Sequence, residues 1–151
     1  MRPAYFLLSA WLMIAGTATR AAESAPAAIT AAEIAPAKTS IYIGSVSLIV
    51  QPMTRSEGMF ASTYAARVFP YFFYNEQGRF QIRVSDSDLH RLAAGQTIEF
   101  SGDALRDDGV DRRVEGRAIP RGPGAGDVKV RVFLSHRLVL VFNTTYQIKG
   151  P

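Results

Sequence analysis

The sequence predicts a mostly β protein: a small antiparallel barrel or sandwich of seven or eight short strands built from hairpins, with one short helix. Three observations carry this. Apolar residues recur at every second position through much of Ile41–Ile148, the spacing of a strand with one face on a core. Turn residues divide that region at short intervals, too short for crossover connections. The hairpin Gln96–Ile119 can be placed in register from its residues alone.

Residues 1–21 read as a signal peptide. Arg2 supplies a short positive region, an apolar run follows from about Ala4 to Ala15, and the small residues Gly16–Ala21 end in a plausible cleavage site after Ala21. The run is too short for a comfortable membrane span. Residues 22–40 are rich in Ala and Pro and contain a short repeat, AAESAPAAIT then AAEIAPAKTS. Pro26 and Pro36 oppose a continuous helix and few side chains have apolar area to bury, so the segment reads as a disordered leader. The remaining stretch, 41–148, is long enough for one core and one β domain.

Within that domain, Ile41–Val50 is β-branched and reads as a well-covered strand ended by Gln51-Pro52, and Met53–Gly58 reads as a polar loop. Met59–Asn75 is long for one strand. Pro70 divides it into strands at about Met59–Val68 and Phe69–Asn75. Glu76-Gln77-Gly78 reads as a turn that sets Asn75 opposite Arg79, Tyr74 opposite Phe80 and Phe72 opposite Ile82. Ser85–Gly95 is the helix: Ser85 caps it, Asp88 completes an approximate capping box, Leu89 and Leu92 share a face, and Gly95 ends it.

In Gln96–Ile119 the turn is Asp107-Asp108-Gly109, a type I turn with glycine in the left-handed region. Arg106 then faces Val110, Gly102 faces Val114, Phe100 faces Gly116 and Ile98 faces Ala118. On the other face Asp103 meets Arg113 and Glu99 meets Arg117. A slip of one residue would set apolar faces against polar ones. Pro120–Gly126 reads as an exposed loop. Asp127–Leu134 and Arg137–Ile148 form a last hairpin around Ser135-His136-Arg137.

The chain has no cysteine, which excludes disulfides, thiol nucleophiles and thiolate metal sites, and favours a bacterial periplasmic or secreted protein. The net charge is +4; removing residues 1–21 takes away Arg2 and Arg20, leaving 15 basic and 13 acidic side chains, or +2. The charges are interspersed, so no basic stripe points to nucleic acid. After signal removal no membrane span remains, and Glu99, Arg113, Glu115 and Arg117 make a lipid-facing outer wall untenable.

No catalytic constellation emerges. His90 belongs with Ser85, Asp86, Ser87 and Asp88 to a solvated helix start, and His136 lies in a turn. Asp103, Asp107, Asp108 and Asp111 match no calcium loop. The expectation is a protein that is not an enzyme, without cofactor or metal. It acts as a binding or interaction module, with a protein partner or a second copy on a surface formed by Phe69, Tyr71, Phe73 and Arg83. The alternative is a carrier barrel holding a small apolar or anionic ligand. Arg112, on the apolar face opposite Ala104, either snorkels out of the core or stands as a cation at the ligand's mouth.

Overall fold

The computed structural model describes residues 28–150. The signal peptide expected at 1–21 and residues 22–27 of the expected leader lie outside the described residues. The elements are β1 (Ala31–Ile34), β2 (Ala37–Ile41), β3 (Gly44–Val50), β4 (Met53–Ser56), β5 (Met59–Phe69), β6 (Glu76–Arg83), α1 (Asp86–Ala93), β7 (Ile98–Arg106), β8 (Asp111–Gly122), β9 (Ala125–Phe133) and β10 (Val139–Lys149). Eight of the strands close a ring, β1-β4-β5-β6-β7-β8-β9-β10, in which every neighbouring pair is antiparallel. The architecture is therefore a barrel and not a sandwich. Closure gives every strand of the ring a partner on both sides, while β2, paired only with β3, remains a short edge.

The two further strands, β2 and β3, lengthen the wall on one side. Ala32 opposes Met53 and Ala37 opposes Leu48, so the β1/β4 and β2/β3 pairs share one register. Pro36 separates β1 from β2, and Pro52 separates β3 from β4. A proline has no N–H to give a ladder, so the long hairpin is interrupted twice without losing its register. This corrects three expectations. The repeat's second half is strand, not disordered leader. Ile41–Val50 is not one strand, because the chain reverses at Tyr42-Ile43. Met53–Ser56 is strand, not loop.

The hairpin β7/β8 has the register its residues dictate: Ile98 opposite Ala118, Phe100 opposite Gly116, Gly102 opposite Val114. Gly109 has φ +91° and its N–H donates to Arg106 O at 2.8 Å, while Arg106 N–H donates to Val110 O at 2.9 Å. Only one of the two expected charge pairs forms. Arg117 reaches Glu99 at 2.7 Å. Asp103 instead meets Arg83 from β6 at 3.6 Å, and Arg113 turns along its own strand to Glu115 and over the Phe133 ring. On a barrel wall each outward side chain has neighbours on two sides, and a hairpin read alone supplies only one. The expected loop Pro120–Gly126 is mostly strand, with β8 and β9 joined at Pro123-Gly124.

The second hairpin departs most from expectation. β5 runs on to Phe69, the Phe69–Pro70 peptide is cis, and Phe72–Tyr74 is a single 3-10 turn. Glu76-Gln77-Gly78 is not a turn but the start of β6, paired with both β5 and β7. Phe80 lies between Ser62 and Ala104, and Ile82 between Phe60 and Gly102, so neither meets Phe72 or Tyr74. Gly78 has a different task from Gly109. A Cβ there would lie 2.2 Å from Leu105 O and 2.9 Å from Arg106 Cα, so glycine lets β6 and β7 approach.

α1 follows β6 and has the capping box expected: the Ser85 hydroxyl accepts from Asp88 N–H at 3.1 Å, and the Asp88 carboxylate accepts from Ser85 N–H at 3.3 Å. Leu89 and Leu92 are buried with Val84, Ile98, Phe60 and Met53, where they close one end of the barrel. Arg55 of β4 ties the helix down through Asp86 at 2.7 Å and Val84 O at 3.1 Å. Gly78→Ala is expected to force β6 from β7 and lower the urea midpoint by the equivalent of roughly 1–3 kcal/mol. An unchanged midpoint would mean that the close approach is not needed.

Candidate functional site

The barrel has two unlike ends. At the base, α1 and the side chains around it fill the interior. At the other end four chain reversals stand around an opening: Tyr42-Ile43, Pro70–Asn75, Asp107–Gly109 and Leu134–Leu138. Between them is a cavity of about 1210 Å³, larger than the ~300–1,000 Å³ usual for a small-molecule pocket. Its lining is overwhelmingly apolar, with Val46, Leu48, Val68, Val130 and Leu140 among the side chains that face it. An eight-stranded barrel has an interior that large side chains can fill or that can hold one small ligand. Here Ala37, Ala66 and Ala104 take inward positions near the mouth, and their small volume leaves the space open.

The charged groups of the cavity are gathered near the mouth. Glu76, at the start of β6, accepts from Arg112 twice, at 3.2 Å to Oε1 and 2.8 Å to Oε2. It also accepts from the Tyr64 hydroxyl at 3.1 Å and from Arg106 Nη1 at 3.4 Å. Arg112 gives its third nitrogen to Leu134 O at 3.4 Å. Arg106 is held in turn by both oxygens of Asp108, whose carboxyl is pushed down to about 2 by that hydrogen bond. Burial, and then the Glu76 carboxylate beside it, hold the Tyr64 hydroxyl well above the ordinary tyrosine range, so it remains a neutral donor. The side chains of Arg112 and Glu76 are only 12% and 13% exposed. A pair at that depth is costly to break, because the survivor would be an unpaired, nearly buried charge.

Arg112 is thus where the sequence placed it, opposite Ala104 on the inner face. Its partner is the residue that sequence reasoning assigned to a turn. Phe69, Tyr71, Phe73 and Arg83 do not form one outward strand face. Tyr71 and Phe73 line the cavity's mouth, with their rings edge to face at 5.9 Å. Phe69 packs edge to face on Phe72, also at 5.9 Å, and is exposed. Arg83 is opposite Met59 and Ser101 at the base end of β6 and is not part of this group.

Ten large apolar side chains are well exposed among the described residues, and all ten belong to the mouth end. They are Tyr42 and Ile43, Phe69 and Phe72–Tyr74, Leu105 and Val110, and Leu138 and Val139. Several of these also line the cavity, so rim and interior form one continuous apolar surface. The sequence hinted at this through its aromatic run alone; the other turns contribute one or two residues each.

His90 and His136 are both exposed. Among the described residues no group of three His, Cys, Asp or Glu side chains is placed to hold a metal ion, and no helix is long and apolar enough to cross a membrane. Comparison of the chain with family models, curated proteins and solved structures gives no match.

Proposed function

We propose that this protein is an exported, non-enzymatic carrier whose barrel holds a small apolar molecule. The observation that carries this reading is the apolar cavity, open at one end and sealed at the other by α1. Burying apolar ligand surface there contributes about 25 cal/mol per Å² removed from water. β strands form most of the walls, so little conformational entropy is lost on binding. The N-terminal signal pattern and the absence of cysteine support export to a bacterial periplasm or beyond.

Filling the cavity tests the reading. Ala66 faces it from β5, and Ala66→Trp places an indole in the space a ligand would take. N-phenyl-1-naphthylamine, an uncharged probe that brightens in apolar surroundings, is expected to bind the natural protein. Its affinity should fall by roughly tenfold or more in the variant, the equivalent of about 1.4 kcal/mol. Equal binding by both proteins would place the probe elsewhere and count against the carrier.

The exposed rim favours a second reading, an interaction surface. Its occupant is a lipid surface, because rim and cavity lining are continuous and a ligand passing between the two would never cross water. Tyr, present on the rim at Tyr42 and Tyr74, is also a side chain suited to a membrane interface. The chain is expected to sediment with phosphatidylcholine vesicles, and Tyr42→Ser, Ile43→Ser, Phe72→Ser and Phe73→Ser together should abolish this. No sedimentation of the natural protein, or a dimer on gel filtration that the same changes dissolve, would overturn the lipid surface as the occupant.

A further inference from the structure

We infer that Glu76 sets the class of ligand: by neutralising Arg112 it makes the cavity a site for uncharged, lipid-like molecules and excludes carboxylate anions such as fatty acids. This rests on the carrier reading and adds to it the chemistry of the occupant.

The expectation of an anionic ligand came from Arg112 as a lone cation on the inner face. The structure gives that cation a carboxylate of its own. Arg112 spends two nitrogens on Glu76 and the third on Leu134 O. Arg106 spends two nitrogens on Asp108 and the third on Glu76. Two guanidinium groups face two carboxylates, so the group is neutral. Tyr64 gives its only proton to Glu76. Two other polar side chains at the cavity are also engaged: Thr144 donates to Ala35 O at 2.9 Å, and Asn75 accepts from Val68 N–H at 2.7 Å. A carboxylate entering this space would lose its water and find both guanidinium groups already committed to carboxylates. It would have to displace Glu76 from Arg112, leaving that carboxylate buried without its partner. An alcohol, ester or hydrocarbon meets no such penalty, and its chain gains the same apolar burial as a fatty acid's.

Displacement of N-phenyl-1-naphthylamine by hexadecanol and by hexadecanoate, at a pH where the acid is ionised, tests the inference. Hexadecanol is expected to compete better by roughly tenfold or more, the scale of a charged group left without a partner. In Glu76→Gln the freed Arg112 should close or reverse this gap. In Glu76→Gln with Arg112→Gln, which carries no buried charge and keeps the protein testable if the single variant unfolds, the preference for hexadecanol should return. Circular dichroism reports folding of both variants. Equal or better competition by hexadecanoate in the natural protein would overturn the inference and leave the carrier standing. So would a preference that Glu76→Gln does not move. Failure of the naphthylamine to bind at all would remove the carrier reading and this inference with it.

Discussion

The β5–β6 ladder is the constraint on which the rest depends. It joins Met59 with Arg83 at one end and Ala66 with Glu76 at the other, and it turns a long sheet into a closed barrel. Without it β6 would be a free edge and the inward side chains would have no interior to share. Closure also fixes where polar groups fall. It sets Glu76 on the wall beside Tyr64, while the consecutive β6-β7-β8 ladders bring the same carboxylate to Arg112 on β8, thirty-six residues away in sequence. An arginine on an inner face is tolerable there because β6, two strands away, delivers its counter-charge.

Local chemistry was legible where both partners lay within one hairpin. The Asp107-Asp108-Gly109 turn, the large-to-small pairing of Phe100 with Gly116, and the capped start of α1 are each settled by residues a few positions apart. Glu76-Gln77-Gly78 has the same outward form as the true turn and failed as one. Its glycine serves the approach of two backbones, and its glutamate is held by arginines from β7 and β8. Neither fact exists within the segment. For the same reason the Ala/Pro-rich stretch looked too poor in apolar side chains to fold. Ala32 and Ala37 are nevertheless buried, because they close a wall that other strands have already built.

The cavity was the least legible feature. Each strand shows which side chains face inward, but not whether their summed volume fills the interior. That depends on strand number, tilt and the place of each small residue around the ring. Alanines on β2, β5 and β7 meet near the mouth, whereas Leu89, Leu92, Phe60 and Ile98 meet at the base. The same barrel is thus packed at one end and hollow at the other. The end that is hollow is also the end whose turns expose Tyr42, Phe73 and Leu138 to water. An apolar interior, a neutralised polar group and an apolar rim at a single end are features that one explanation, transfer of an uncharged apolar molecule, accounts for together.

Native mass spectrometry of the protein, purified without detergent or organic solvent, tests that explanation most directly. A carrier is expected to appear at the mass of the chain plus one small apolar molecule, to lose it on solvent extraction, and to take up one hexadecanol per chain afterwards. A bare chain that stays bare when offered hexadecanol would contradict it.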